Sequence, residues 1–201
     1  ITMEHVDGTD LGSLRNQQSN GCFTWSRLEG LAIQMCEALK YAHEQKIIHR
    51  DLKPANMMIT REGNLKLADF GIAASVSDSN PKAEMEGDAS GTTVYMSPQQ
   101  MRGLRPEPAD DIYALGATLY DLITTRPPFY TGDIFQLVQD VPPPTISQRM
   151  TDYSLENHLP PHAEQAIAAA HARDSAPKWW GRSPRQSSAS AAPSPVYTLP
   201  E

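Results

Sequence analysis

His49-Arg50-Asp51-Leu52-Lys53-Pro54-Ala55-Asn56 is the stretch that decides the fold, and Asp69-Phe70-Gly71 follows thirteen positions after Asn56. Asp51 is a carboxylate that can accept a proton or hydrogen bond from a hydroxyl. Lys53, on the same loop, can reach a phosphate. Asn56 and Asp69 offer hard oxygen ligands of the kind Mg²⁺ prefers. Gly71 lets the backbone turn sharply behind Asp69. Alone, each of these residues reads as an ordinary loop Asp or capping Asn. In this order and spacing they are the parts needed to align a hydroxyl with a phosphoryl group and neutralise the charge that develops.

Upstream of the loop, Ile47-Ile48 is expected to be a short buried strand or strand-like segment. From Thr24, Leu28, Leu31, Met35, Leu39 and Ala42 recur at three- and four-residue steps, with Arg27, Glu29, Gln34, Glu37 and Lys40 between them. That spacing predicts an amphipathic helix ending near Glu44 or Gln45. Residues 1–6 read as a strand turning at Asp7-Gly8, and Asp10 to Asn20 as a short helix. Downstream, Met57-Met58-Ile59 and Leu65-Lys66-Leu67 flank Arg61-Glu62-Gly63-Asn64 and predict a small hairpin. Residues 72–91 read as a mobile loop. Asp110 to Thr125 is small or apolar nearly all round, the mark of a buried helix, and Arg126-Pro127-Pro128 stops it. Shorter helices are expected within residues 132–141 and 164–173. From 176 the composition shifts to Ser, Pro, Ala and Arg, too little to bury, and a disordered tail is expected over 176–201.

The chain of 201 residues, 39% hydrophobic and 20% charged, is that of a globular domain with a real core. A formal net charge of −7 argues against a nucleic-acid-binding surface. Cys22 and Cys36 stand apart from any metal-binding or disulfide pattern and read as free thiols in a reducing cytosol. No apolar run approaches the ~18 residues of a membrane helix. The expected location is the cytoplasm, or the cytoplasmic part of a membrane-anchored protein.

These motifs resemble the catalytic core of the eukaryotic-like (Hanks-type) serine/threonine protein kinases. Asp111-Ile112-Tyr113-Ala114-Leu115-Gly116 looks most like bacterial members. The resemblance implies an α+β, predominantly helical fold: the hinge and C-terminal lobe of a kinase domain over 1–175, matching poorly after about 150. It implies ATP and Mg²⁺ as cofactors and a protein with Ser or Thr hydroxyls as substrate. Asp51, Lys53 and Thr92 become the catalytic residues, with Asn56 and Asp69 on the metal. Met3, Glu4 and Val6 would line the adenine edge in the hinge, Asp10 would meet the ribose, and Met58 would floor the adenine. Thr92 belongs to Gly91-Thr92-Thr93-Val94-Tyr95-Met96-Ser97-Pro98-Gln99, similar to the family's substrate-docking loop. Asp111 would brace the catalytic-loop backbone from the central helix. Arg50 would receive a phosphorylated loop residue, with Ser75, Ser77, Ser79 and Ser90 as candidates.

Two departures stand beside the resemblance. Gln99 replaces the glutamate that closes the docking loop and pairs with an arginine, and Arg173 and Arg182 are the loosely placed candidates for that partner. These residues also hold no glycine-rich phosphate loop, strand lysine or partner glutamate. Since the chain opens on Ile1 rather than Met, the expectation is a piece of a longer protein or a truncated gene product, without the small lobe and inactive alone. The competing expectation is a non-catalytic kinase-like scaffold. Retention of Asp51, Lys53, Asn56 and Asp69 counts against it.

Overall fold

The computed structural model describes residues 5–70 and 92–171. The expectations placed on Met3, Glu4, residues 71–91, Arg173, Arg182 and the tail lie outside them. The described fold is rich in helices, with one small antiparallel sheet.

That sheet has the order β1-β2-β3, formed by Gly8–Asp10, Met57–Thr60 and Leu65–Leu67. β2 and β3 make the hairpin predicted from the sequence, with Met57 opposite Leu67 and Ile59 opposite Leu65. Most of the strand expected over residues 1–6 lies outside the described residues, and β1 is a different segment. The strand comes after residue 7, where a turn was read, because Gly8, Thr9 and Asp10 pair with Thr60, Ile59 and Met58. Gly8 also allows close approach, since a Cβ there would collide with the Ile59 carbonyl.

Two helices carry the core. α2 (Trp25–Glu44) follows Thr24 and buries Leu28, Ala32, Met35, Leu39, Ala42 and His43 along one face. α4 (Pro108–Thr124) is buried from Asp110 to Thr124. It starts two residues before the predicted position because Glu107 and Asp110 cap each other and Pro108 fills the first turn. It ends at Thr125, whose φ of 71° breaks the helix. Phe23 N donates to Leu122 O at 2.8 Å, tying the entry of α2 to the end of α4. Around this pair pack α1 (Leu11–Asn16), α3 (Pro98–Met101), α5 (Ile134–Asp140), α6 (Ile146–Asp152) and α7 (Pro161–Ala170). The predicted helices within 132–141 and 164–173 correspond to α5 and α7. The sequence reading missed α3 and α6, which are too short for a periodic signal. Ile47-Ile48 is not a strand, and Ile47 is exposed. Among the described residues no strand pairs with this segment, which spans from α2 to the loop at 49–56.

α4 meets the end of α7 at Gly116. A Cβ there would lie 2.8 Å from Ala170 Cβ and 3.2 Å from His171 Nε2. Gly116→Ala is expected to destabilise the chain by about 1–3 kcal/mol through overpacking, read as a lower urea midpoint with an unchanged slope.

His171 is buried against the Tyr113 and Tyr120 rings, and its Nε2 has no hydrogen-bond partner among the described residues. Burial pushes its pKa from the ordinary 6.5 down to about 4. The unfolded chain binds this proton near pH 6.5 and the folded chain only near 4. The stability tied to neutral His171 is therefore complete above 6.5 and lost as pH falls toward 4, by up to about 3 kcal/mol. Urea melts across that window should show the loss, and His171→Gln should flatten it.

Arg149 is also buried. It donates to Tyr120 OH, Tyr153 OH and Pro128 O at 3.2, 2.9 and 2.9 Å. The guanidinium also lies over the Tyr120, Tyr130 and Tyr153 rings, so tyrosines replace a carboxylate as its surroundings.

Candidate active site

The loop from His49 to Asn56 leaves α2 through a left-handed Lys46 (φ 64°) and contains a second left-handed residue, Arg50 (φ 68°). Both conformations are unfavourable for residues with a Cβ, so the surroundings must hold them. Asp111 does this for Arg50 from inside α4. Its fully enclosed carboxylate accepts from Arg50 N (2.8 Å) through Oδ1, and from His49 N (2.8 Å) and His43 Nε2 (2.7 Å) through Oδ2. Asp111 therefore sits where the sequence placed it. His43 was missed: it follows Ala42 on the buried face of α2, and its burial beside a polar loop was the available signal.

His49 is wholly buried, and burial pushes its pKa down against the attraction of Asp111, the Ala68 carbonyl and Asp51. The geometry fits a neutral ring. Nε2 donates to Ala68 O at 3.0 Å, and Nδ1 lies 3.4 Å from Asp51 N as an acceptor. The same ring packs against Phe70 with centroids 4.5 Å apart, linking the two motifs read from the sequence.

At the centre, Asp51 Oδ2 accepts from Asn56 Nδ2 and Lys53 Nζ, each at 2.9 Å. Asn56 Nδ2 also reaches the Asp51 carbonyl at 2.8 Å. Lys53 Nζ continues to Thr92 Oγ1 at 2.8 Å, so Asp51, Lys53 and Thr92 form one connected set. Asp51 Oδ1 is enclosed yet has no hydrogen-bond partner among the described residues. Such a carboxylate oxygen in an otherwise satisfied cluster is an uncommitted acceptor.

Asn56 is buried in a turn of 3-10 helix, Pro54–Asn56. Its carbonyl accepts from Ala68 N at 2.8 Å, which brings the chain just before Asp69 alongside it. Asp69 is exposed and left-handed (φ 53°). With Asn56 Nδ2 committed to Asp51, the Asn56 amide oxygen and the Asp69 carboxylate are the hard donors left here. Among the described residues no group of three or more His, Cys, Asp or Glu side chains could hold a metal.

Of the residues expected at a nucleotide, Asp10 and Met58 are register partners across β1 and β2. Met58 is half-buried, whereas Met57 beside it is fully buried in the core. Asp10 Oδ1 caps α1 by accepting from Ser13 N at 2.8 Å, leaving Oδ2 uncommitted in the cap. Val6 is half-buried.

An ionic group not foreseen from the sequence lies beside Thr92. Tyr95 OH donates to Asp121 Oδ2 at 2.9 Å, and Arg15 Nη1 donates to Asp121 Oδ1 at 2.5 Å. Burial raises the Asp121 pKa against the pull of Arg15, and burial followed by the charge of Asp121 raises that of Tyr95. These side chains line a cavity of about 370 Å³ with Gly12, Lys53 and Thr92. A second hollow of about 450 Å³, lined by residues between 147 and 159, shares no lining residue with it.

The family model described as protein kinase domain (Pkinase) matches residues 1–174. The chain is similar to the probable serine/threonine-protein kinase PknB of Corynebacterium glutamicum, with 42% identity over 148 residues covering 72% of this chain and 23% of the relative. It is also similar to the serine/threonine-protein kinase PknB of Mycobacterium tuberculosis, with 41% identity over 133 residues covering 66% and 21% of the two chains. The chain thus spans less than a quarter of the length of these relatives. The fold resembles the kinase domain of Mycobacterium tuberculosis PknI, solved as a cysteine-to-alanine mutant. That match has a TM-score of 0.60 and 24% identity, over 85% of this chain and 56% of that one.

Proposed function

From the premise that this chain belongs to the protein kinase domain family, we propose that it supplies the catalytic lobe of a serine/threonine protein kinase. The reaction moves the γ-phosphoryl group of ATP to a protein hydroxyl. The observation that carries this reading is the open Asp51 Oδ1 beside a Lys53 ammonium held by Asp51 and Thr92.

Asp51 Oδ1 accepts the hydroxyl hydrogen bond and then its proton as the oxygen attacks phosphorus. Lys53 meets the transferring phosphate, and Thr92 holds Lys53 toward it. Asn56 and Asp69 suit Mg²⁺ because their uncommitted donors are a carbonyl oxygen and a carboxylate. Magnesium, when bound, neutralises charge on the phosphate oxygens. The hinge residues Met3, Glu4 and Val6 meet the adenine edge, Asp10 Oδ2 the ribose, and Met58 the adenine face. The pairing of Asp10 with Met58 puts those two side by side in the sheet.

We assign residues 1–175 to the kinase lobe and 176–201 to a tail. Because the 201 residues contain no G-x-G-x-x-G loop, transfer by them alone is expected to be negligible. The cytoplasm is the proposed location. Among the described residues no helix is long and apolar enough to cross a membrane.

The test is transfer of label from γ-labelled ATP to serine- and threonine-containing protein by the full-length gene product with Mg²⁺. Incorporation into those hydroxyls supports the reading. No transfer to any protein, together with no Mg·ATP binding by calorimetry, would leave the kinase-like scaffold in its place.

A further inference from the structure

Gln100 has no role in the chemistry described above, yet it touches the residue that carries Asp51. From the third position of α3 its Nε2 donates to the Arg50 carbonyl at 2.7 Å. That carbonyl shares a peptide plane with Asp51 N, so whatever fixes it also fixes where the Asp51 backbone begins. Arg50 is left-handed, with φ 68°. A residue in that region holds its conformation only if its surroundings over-determine it. Asp111 secures the amide side of Arg50 from α4, and Gln100 secures the carbonyl side from α3. The catalytic loop is thus gripped at one residue by two different elements.

The holder is itself held. Ser97 Oγ accepts from Gln100 N at 2.9 Å and donates to Asp110 Oδ1. Asp110 Oδ2 accepts from Glu107 N, which makes the base of α3 and the start of α4 one hydrogen-bonded unit. Gln139 Nε2 of α5 donates to Pro98 O at 3.1 Å on the far side of α3. The segment 92–101 that begins with Thr92 therefore ends in a helix fastened to the catalytic loop.

We propose that Gln100 is a positioning residue for Asp51, coupling the segment where the protein substrate would dock to the orientation of the proton-accepting carboxylate. This rests on the kinase reading for its consequence, while the physical hold of Gln100 on Arg50 can be tested without it.

The experiment compares Gln100→Ala, Gln100→Glu and Gln100→Lys. In the full-length gene product, Gln100→Ala is expected to lower kcat about tenfold, with KM for ATP unchanged, since a small misplacement of a reacting group is costly. Gln100→Glu should be at least as slow, because a carboxylate cannot donate to the carbonyl. Gln100→Lys restores a donor and should recover most of the rate, which a purely structural role would not require. In parallel, amide hydrogen exchange on the 201-residue chain should speed up at Asp51 in the Ala and Glu variants while α2 stays protected. Unchanged kcat with unchanged exchange at Asp51 overturns the proposal. So does exchange that rises equally in every element, which would mean only general loosening. If the unaltered protein transfers no phosphate, the kinase reading falls, and exchange at Asp51 still decides whether Gln100 holds the loop.

Discussion

Asp51→Asn is expected to lower phosphoryl transfer by the full-length gene product by about 10²–10⁴-fold, the usual contribution of a positioned proton acceptor. The geometry gives the reason. Two donors, Asn56 Nδ2 and Lys53 Nζ, converge on Asp51 Oδ2. An asparagine satisfies them only by turning its carbonyl oxygen to that side. Its NH₂ then occupies the place of Oδ1, the open acceptor position. The substrate hydroxyl would meet a donor where it needs an acceptor. Folding should barely change. The Asp51–Lys53 pair is about a quarter exposed on each side, and pairs of that kind contribute about 0–1 kcal/mol. Label transfer measured beside a urea melt separates the effects. A variant retaining more than about a tenth of the transfer rate would remove Asp51 from its assigned role.

The largest effect on stability is expected at Asp111. Asp111→Ala leaves His43 Nε2, His49 N and Arg50 N without their acceptor in a place no water reaches. Removing one side of a buried charged network costs about 3–5 kcal/mol. A domain has about 5–15 kcal/mol in total, so most of the variant should be unfolded in moderate urea. Asp111→Asn keeps the shape and one acceptor oxygen but turns an NH₂ toward a donor, and should fall between the variant and the parent. Circular dichroism through a urea titration of the 201-residue chain measures this. A loss below about 1 kcal/mol in the alanine variant would mean that water or a rearranged loop replaces the carboxylate.

Both predictions involve residues that were legible in the chain. Asp51, Lys53 and Asn56 lie within one loop, and Asp69 is fixed relative to them by a short hairpin. Their spacing is local, so order and residue type were enough to propose their chemistry. The two long helices were legible for a similar reason. Leu28, Met35 and Leu39 repeat at helical steps, and Ala114, Gly116 and Ala117 mark a helix enclosed on every side. The hairpin around Gly63 followed from two apolar runs meeting at a turn.

The remaining features depended on partners distant in the chain. Strand β1 exists because Gly8 to Asp10 find Thr60 to Met58, and nothing in residues 1–10 announces that pairing. The apolar pair Ile47-Ile48 looked strand-like, but among the described residues no strand pairs with it. His43 became part of the brace on the loop at 49–56 because α2 turns that face toward Asp111. Arg15, Tyr95 and Asp121 are widely separated residues that meet in one ionic group, and Gln100 reaches Arg50 across fifty positions.

By itself, then, the order of residues determined the resemblance to protein kinases and the two long helices, because motif spacing and helical periodicity are both short-range properties of a chain. Only the tertiary structure decided which polar groups hold the loop at 49–56 in its left-handed turn. A buried carboxylate or amide is defined by the donors and acceptors that packing brings to it, and packing joins segments whose distance in sequence carries no such information.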